Sequence, residues 1–317
     1  MSQAPSFSVI VSSYNYQDHV VDAVASALHQ TVPVLEVVVV DDGSTDASVD
    51  RLQERFGTDP RVRIIAQQNG GQLSAWIRGV RACSGDVIAL LDSDDLWHEN
   101  FIDAMGRVYL ARPDVDYVYC NLALFGAREG QMLTKRRHRQ DRDLGISVLQ
   151  GCFKPRWQGV ATSGNTLRRT LFERLVALPD EQVRQWRTRP DDCLFYGADI
   201  LGAHKFYLAQ ACASHREHGR NALLADRSST ARLRYELRRE RMLAHYRRLI
   251  DASPRLLTLA KSEFRTKPVP LWSEWLAYSG FALQAPESLL RRIGKLVAIA
   301  SHMLRSRFRP GSGGPQN

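Results

Sequence analysis

The sequence predicts an α/β fold, with a mostly parallel sheet flanked by helices and an α-helical C-terminal extension. Three observations support this fold class. Over the first hundred residues, apolar strands and amphipathic helices alternate strictly, and this alternation requires parallel strand pairing with right-handed crossovers. Two strongly apolar strands in this part are each followed directly by aspartates. The last third of the chain shows only helical periodicity and carries the excess of positive charge.

Each element follows from its local pattern. Short runs of valine, isoleucine and leucine between turn-forming residues indicate buried strands, and apolar residues repeated every three or four positions indicate helices. The predicted strands cover residues 7–12, 35–40, 62–66, 87–91, 117–125 and 205–209, and a loop enters a further strand within 160–167. The predicted helices cover residues 18–30, a segment ending near residue 56, 74–83, 100–110 and a segment after the acidic pair 191–192 that ends at residue 202. Residues 128–143 are predicted to form a polar surface loop.

Two acidic clusters follow buried strands. Asp41 and Asp42 come after the second strand, and Asp92, Asp94 and Asp95 come after the fourth. The carboxyl ends of parallel strands open onto the ligand crevice of such a sheet, and clustered carboxylates repel one another unless a cation or hydrogen-bond donors neutralise them. Mg²⁺ and Mn²⁺ bind carboxylate oxygens and often share them with substrate phosphates. The pattern therefore indicates a divalent metal site, and the alternative is a solvated turn with helix N-caps.

The C-terminal region is helical and basic. Residues 221–317 contain 18 Lys and Arg against 7 Asp and Glu, a net charge of +11, whereas residues 1–220 carry −2. Helices are predicted at residues 232–250 and 271–283, and a final helix begins at Pro286. In that helix one face is predicted to carry Leu289, Leu290, Ile293, Leu296, Val297, Ala300, Met303 and Leu304. Arginines and lysines border the stripe, which is typical of a helix lying on an anionic membrane surface. The alternative is a helix that docks on the catalytic domain or on another subunit.

Several functional classes are not expected. No G-x-G-x-x-G follows the first strand and no G-x-x-x-x-G-K-[ST] occurs, which disfavours dinucleotide dehydrogenases and P-loop NTPases. The five cysteines form no Cys-x-x-Cys pair, which disfavours a zinc site or a disulfide framework. No nucleic-acid motif accompanies the positive charge, so no nucleic-acid partner is expected. Without an apolar leader or an apolar stretch of 18 residues, a cytoplasmic protein is predicted, peripheral at most on the inner face of the membrane.

Six short segments, in order, are similar to one known family. They are Val-Ile-Val-Ser-Ser-Tyr-Asn at 9–15, Ser-Ala-Leu-His-Gln-Thr at 26–31, Val-Val-Asp-Asp-Gly-Ser-Thr-Asp at 39–46, Asn-Gly-Gly at 69–71, Gly-Asp at 85–86 and Leu-Asp-Ser-Asp-Asp-Leu-Trp at 91–97. The chain resembles family-2 glycosyltransferases, inverting enzymes of the GT-A fold, and the resemblance continues more loosely to about residue 221. It implies a nucleotide-sugar-binding half at 1–120 and an acceptor-binding half at 121–225. The basic helical region at 226–317, with a disordered tail, would then be an addition.

The resemblance also implies roles for individual residues. The donor is expected to be a nucleotide diphosphate sugar, and the cofactor Mn²⁺ or Mg²⁺. Donor-binding residues would be Ser12, Tyr14, Asp42, Asp92 and Arg216, and the metal ligands would be Asp94 and His218. A metal suits this chemistry because the leaving diphosphate develops negative charge that a cation stabilises without proton transfer.

An inverting transfer needs a base that takes the proton of the acceptor hydroxyl. The family's acidic pair at a helix start matches Asp191 and Asp192, with Asp192 as the base and Asp191 beside it. The alternative is an N-terminal acidic pair that serves only the helix dipole. By the same resemblance, the acceptor would be bound by the loop Ser163, Gly164 and Asn165.

One departure from the family concerns the donor. After the Gly-Gly turn the family often has Ala-Arg-Asn, whereas this chain has Ala-Trp-Ile at residues 75–77. A polar donor contact is then expected from Gln72 or Arg78 instead.

The expected function is transfer of one sugar to a glycan or a lipid-linked acceptor during the assembly of a cell-surface polysaccharide. Two other classes stay open. The chain could be a catalytically inactive homologue that binds a nucleotide sugar. It could also be a sugar-phosphate nucleotidyltransferase, although that class would carry a glycine-rich basic loop directly after the first strand, and residues 12–16 contain neither glycine nor a basic residue.

Overall fold

A computed structural model describes residues 4–127, 139–218 and 228–308. Within these ranges nine strands form one sheet. The strands are β1 (Phe7–Ser13), β2 (Glu36–Asp41), β3 (Val62–Ala66), β4 (Val87–Asp92), β5 (Leu96–Trp97), β6 (Tyr117–Gly126), β7 (Arg142–Gly145), β8 (Asn165–Arg168) and β9 (Lys205–Glu217).

The helices fall into two groups along the chain, one before residue 201 and one after residue 228. Met242, Leu243 and Tyr246 of the second group pack into the main core. The first group is α1 (Val20–Leu28), α2 (Ser48–Phe56), α3 (Gln72–Ala82), α4 (Phe101–Ala111), α5 (Val148–Phe153), α6 (Arg169–Val176), α7 (Asp180–Gln185) and α8 (Asp191–Ile200). The second group is α9 (Ser229–Leu249), α10 (Ala260–Phe264), α11 (Trp272–Gln284) and α12 (Leu289–Phe308).

The sheet topology confirms the predicted fold class. The strand order is β3-β2-β1-β4-β8-β6-β9-β5, with β7 paired to β9. Strands β3, β2, β1 and β4 pair in parallel, as their alternation with helices predicts. Strand β8 lies between β4 and β6 and pairs with both in the antiparallel sense. Strands β2 and β3 lie on one side of β1 and β4 lies on the other, so the strand order reverses between β1 and β4. The ends of these two strands therefore form a topological switch point, where sheets of this type bind ligands.

Two predicted elements differ clearly from the structure. Strand β9 runs to Glu217 rather than ending at Ala209, because β6 supplies a parallel partner along nearly its whole length. Part of the predicted loop at 128–143 is a strand, since β7 pairs with β9, while residues 128–138 lie outside the described part of the chain. The predicted tail also lies outside it.

The final helix, α12, has one set of apolar residues that is buried and another that is exposed. Ile299 and Met303 are buried and pack with Phe264 and Tyr278 in a second apolar core formed largely by the C-terminal helices. The side chains Leu289, Leu290, Ile293, Val297 and Leu304 are exposed instead. The predicted single stripe is therefore wrong in detail, because a helix this apolar has residues left over after one face has docked. No helix in the described ranges is long and apolar enough to cross a bilayer.

Candidate active site

A cavity of about 660 Å³ opens where β1, β2 and β4 end. Its lining residues come from the loops after these strands, from the start of α3 and from the segments before β8 and α8. They are Ser12, Ser13, Tyr14, Tyr16, Asp42, Asn69, Gly71, Gln72, Ala75, Asp92, Ser93, Asp94, Trp157, Gly159, Val160, Ala161, Thr162, Arg187, Thr188, Arg189, Asp191 and His215. The structure thus brings the two acidic clusters that follow β2 and β4, whose members Asp42 and Asp92 are 50 residues apart in the chain, to one cavity.

One end of the cavity contains three of the residues predicted to bind the donor. Tyr14 leaves 46% of its surface exposed, so an aromatic face is available there for stacking. Asp42 is nearly buried, and its carboxylate accepts hydrogen bonds from the backbone N–H groups of Gly70 (2.8 Å) and Gly71 (2.7 Å). Asp42 therefore holds the Gly-Gly turn that begins α3 while it lines the cavity.

Gln72, one of the two residues from which the sequence predicts a polar donor contact, lines the cavity. Its amide nitrogen donates to Asp92 Oδ1 at 2.5 Å and lies 3.3 Å from Ser12 Oγ. Arg78 is exposed on α3 and does not line the cavity. Of the two candidates that the sequence left open, only Gln72 reaches this site.

The acids after β4 form a compact cluster. Asp92, Asp94 and Asp95 each offer one oxygen within 4.8 Å of the others. Burial and then the charge of neighbouring carboxylates raise the pKa of Asp92 and of Asp94. Such a set is stable when a cation neutralises it, and oxygen ligands suit Mg²⁺ and Mn²⁺, so the residues fit the expected metal.

Asp95 differs from its two neighbours because its carboxylate serves the fold. It is fully buried and accepts hydrogen bonds from Ser163 Oγ (2.6 Å), the His215 ring (3.0 Å) and the Arg216 backbone N–H (2.8 Å). Burial opposes a charged imidazole, but the hydrogen bond to Asp95 and the charges of the cluster raise the pKa of His215 to about 9. Asp95 thus joins the end of β9 to the acidic loop.

The extension of β9 carries two predicted residues to this cluster. His218 Nε2 lies 2.8 Å from Asp94 Oδ2. Arg216 donates from Nε to the backbone carbonyl of Asp94 at 2.9 Å, and its guanidinium lies 4.3 Å from the centre of the Phe125 ring. Neither residue lines the cavity directly, so both meet the site through Asp94. Tyr16, which sequence reasoning missed, packs its ring 6.0 Å from that of His218.

The two aspartates at the start of α8 also lie in different environments. Asp191 lines the cavity, and burial together with the charge of Asp192 raises the pKa of Asp191 to about 6. Asp192 is fully buried and accepts a hydrogen bond of 2.7 Å from the Tyr235 hydroxyl, with the Arg189 guanidinium 4.0 Å away. The structure therefore disagrees with Asp192 as the acceptor-facing member of the pair, because its side chain points into the protein toward α9.

The residues of the predicted acceptor loop are also buried and do not line the cavity. Ser163 Oγ donates to Asp95 and accepts from the Asp92 backbone N–H at 3.0 Å. Asn165 is fully buried, and its amide bonds to the Tyr117 hydroxyl and to backbone carbonyls of the same loop. Gly164 is buried as well, and an added Cβ would come within 2.9 Å of a Val160 methyl. These three residues shape the loop, while its preceding residues 160–162 line the cavity.

Several cavity residues were not predicted. Trp157, Arg187, Thr188 and Arg189 lie in irregular segments whose local pattern shows no motif. Arg189, which precedes Pro190, has a left-handed φ of 58°, a conformation that non-glycine residues rarely adopt outside constrained sites.

Comparisons with known proteins agree with this geometry. The family model described as glycosyl transferase family 2 matches residues 8–176, more than half of the chain. An uncharacterized glycosyltransferase from Nostoc sp. is 34% identical over 233 residues, which cover 71% of this chain and 68% of that protein. A chondroitin synthase from Escherichia coli is 42% identical over 103 residues, 32% of this chain but only 15% of the synthase.

Two solved structures share the fold over nearly the whole chain. TarS from Staphylococcus aureus, in complex with UDP-GlcNAc, superposes with a TM-score of 0.56 at 18% identity, covering 95% of this chain and 89% of that one. The mannosyltransferase PcManGT from Pyrobaculum calidifontis, in complex with GDP-Man and Mn²⁺, gives a TM-score of 0.50 at 19% identity, covering 96% and 88%. The family match over residues 8–176 and the relative from Nostoc sp. show that the chain belongs to glycosyltransferase family 2.

Proposed function

We propose that this protein is a metal-dependent, inverting glycosyltransferase. It would transfer a sugar from a nucleotide diphosphate donor to a glycan or a lipid-linked acceptor during the assembly of a cell-surface polysaccharide. The observation that carries the proposal is a single cavity lined by a carboxylate cluster suited to a metal and, separately, by the carboxylate Asp191. The similarity to a protein named chondroitin synthase supports the polysaccharide role.

The donor would bind along the ends of β1, β2 and β4. Tyr14 stacks on the base, Ser12 and Asp42 line its pocket, and Asp92 faces the ribose or the metal. Asp94 and His218 would hold Mn²⁺ or Mg²⁺, and the cation would supply positive charge to offset the negative charge of the leaving diphosphate. Arg216 adds positive charge beside the same loop.

Asp191 is the base in this proposal, and Asp192 is its supporting neighbour. A pKa of about 6 leaves Asp191 ionised at neutral pH yet basic enough to accept a hydroxyl proton as the new bond forms. Asp192 cannot exchange a proton with an acceptor from its buried position, but its charge helps to set the pKa of Asp191.

The test is the release of nucleotide from a panel of UDP- and GDP-sugars in the presence of Mn²⁺, Mg²⁺ or EDTA. Slow hydrolysis of one donor is expected with a metal only, and Asp94→Ala should lower it about 10³-fold. Asp103→Asn, on α4 and outside the cavity, is the matched control and should behave as wild type.

The same assay separates the rival classes. An inactive homologue would bind a nucleotide sugar without releasing nucleotide in either metal. A nucleotidyltransferase would instead form a nucleotide sugar from a sugar phosphate and a nucleoside triphosphate. Either result would contradict the proposal.

We further infer a cytoplasmic enzyme that attaches to the inner face of the membrane through α12. The exposed face of this helix carries Leu290 (83% exposed), Ile293 (46%), Val297 (64%) and Leu304 (55%), spaced as one stripe along the helix. Arg291, Arg305 and Arg307 belong to the same helix, in a region with a net charge of +11. An apolar stripe with flanking arginines has the chemistry of an anionic lipid surface.

Vesicle sedimentation tests this attachment. Binding is expected to vesicles that contain phosphatidylglycerol, to weaken with salt, and to be lost when Leu290 and Val297 are both changed to Asp. Leu110→Asp, a change at an exposed leucine on α4, is the control. Equal binding by the double variant, or none by wild type, would rule this surface out.

A further inference from the structure

The active-site cavity is lined by an exposed tryptophan that is not among the proposed donor, metal-binding or base residues. Trp157 lines the cavity and keeps 42% of its surface exposed, although folding usually buries most of a side chain of this size. It lies on the segment before β8, and the same cavity is lined by Asp191. A large apolar ring left open to solvent in a cavity is a candidate for contact with a ligand.

The ring of Trp157 is held in place from behind. It packs edge-to-face on Phe195, with ring centroids 5.4 Å apart. Phe195 is fully buried on α8 and itself contacts Tyr117, at 5.5 Å, and Tyr119, at 5.6 Å between ring centroids. The exposed ring therefore rests on a buried aromatic cluster rather than on a loop alone.

The backbone beside the ring is held as well. The Tyr119 hydroxyl donates to the Gln158 carbonyl at 2.8 Å. Gly159 lies so close to Phe195 that an added Cβ would be 2.0 Å from the ring, so only glycine fits at this position. Contacts thus fix both the side chain of Trp157 and the backbone beside it. Little conformational entropy would therefore be lost when a ligand binds to this segment.

The chemistry of this surface selects a class of ligand. The face of an indole carries partial negative charge and packs well against C–H groups that are slightly positive. A pyranose ring presents several such C–H groups on one flat face, whereas an open-chain polyol phosphate has no rigid apolar face. The donor base has its own aromatic partner in Tyr14, which lies on the loop after β1.

We propose that Trp157 is the platform of the acceptor subsite, and that the acceptor group is a pyranose ring stacked on it with its hydroxyl toward Asp191. This rests on the proposed glycosyltransferase function and adds the acceptor class. It also replaces the loop Ser163–Asn165, whose side chains face inward, as the acceptor contact.

The test measures how sugars accelerate nucleotide release above the hydrolysis rate. The probes are methyl β-pyranosides of glucose, galactose, N-acetylglucosamine and glucuronic acid, compared with glycerol 3-phosphate and ribitol 5-phosphate. A pyranoside is expected to accelerate release saturably and to give a glycosylated product by mass spectrometry.

Trp157→Ala should raise the KM for that pyranoside about tenfold or more, while the donor KM changes less than about twofold. Trp157→Phe should retain most of the affinity, and Trp272→Ala, at an exposed tryptophan outside the cavity, should retain all of it.

Three results would overturn the proposal: acceleration only by the polyol phosphates, no acceleration by any pyranoside although hydrolysis is normal, or an unchanged pyranoside KM in Trp157→Ala. Failure of the wild type to hydrolyse any donor is a different result. It would contradict the proposed function itself, before the acceptor is added.

Discussion

The two acidic groups of the active site are made of the same residue type but differ in how they are held. In the cluster after β4, Asp95 is buried and bonded by three donors, while Asp92 and Asp94 line the cavity. At the start of α8, Asp192 is buried against Tyr235 and its neighbour lines the cavity. In both groups, hydrogen bonds within the protein hold one carboxylate in the interior, and a neighbouring carboxylate lines the cavity.

The two groups differ in how many of their carboxylates line the cavity. After β4 two carboxylates line the cavity together; burial and then the charge of Asp95 raise the pKa of both Asp92 and Asp94, so the site favours a cation. At α8 a single carboxylate, Asp191, lines the cavity, and its pKa of about 6 suits proton transfer. Neighbouring aspartates in a sequence can therefore have distinct roles, decided by which of them finds donors in the fold.

The largest expected effect concerns the two members of the α8 pair. Asp191→Asn should lower sugar transfer about 10²–10⁴-fold because the base is lost, with donor and metal affinity retained. Asp192→Asn should cost only about tenfold, as expected for a supporting residue. Steady-state kinetics of both variants, with donor binding measured by calorimetry, make the comparison. A greater loss for Asp192→Asn than for Asp191→Asn would restore Asp192 as the base.

A smaller effect is expected at Asp95, and it should appear first in stability. Asp95→Asn leaves His215, which a pKa of about 9 keeps charged at neutral pH, and two further donors without their carboxylate in a buried site, which should lower the free energy of unfolding by about 3 kcal/mol. Denaturant unfolding of this variant and of Asp94→Asn provides the measurement. Since Asp94 contributes to ligand binding in our proposal, its replacement should cost far less stability. Equal losses would remove the distinction between the two residues.

The pH dependence gives the third prediction. Asp191 must be ionised to act as a base, so kcat/KM of the wild type should fall on the acid side of about pH 6. Tyr235→Phe removes the hydroxyl that favours the charged form of Asp192, so the pKa of Asp192 should rise further. The neighbour then carries less negative charge, the pKa of Asp191 falls, and the acid limb should move to lower pH.

The loss in rate for Tyr235→Phe should be about tenfold. Arg189, Arg238 and Arg239 surround the same carboxylate and stay in place in this variant. Tyr246→Phe is the matched control, because Tyr246 lies on the same helix and its hydroxyl donates to the Leu175 carbonyl, away from the acidic pair. It should lower stability and leave the pH profile unchanged. A profile for Tyr235→Phe that matches the wild type would show that Tyr235 serves the fold alone.

Much of the donor side of the site could be predicted from the sequence. The strands β1, β2 and β4 are buried on both faces, so their apolar runs are continuous, and the turns after them carry their polar residues within a few positions. Parallel pairing then brings these turns together at one edge. Ser12, Tyr14, Asp42, Asp92 and Asp94 line the cavity for this reason.

The acceptor side could not be predicted in the same way. The segments that carry Trp157 and Arg187 are irregular, and their positions depend on contacts with Phe195 and with the Gly70–Gly71 turn, which are distant in the chain. The inward turn of Ser163 likewise depends on Asp95, 68 residues earlier. Hydrophobic periodicity does not encode such pairings.

Local pattern and composition therefore determined the α/β core, the acidic character of the loop after β4 and the basic, helical nature of the last third. Tertiary structure alone decided which aspartate of each group lines the cavity. Asp192 is turned away by a hydroxyl 43 residues further along the chain, and Asp95 by an imidazole 120 residues away. A buried carboxylate needs hydrogen-bond donors, and only folding decides which donors lie within reach.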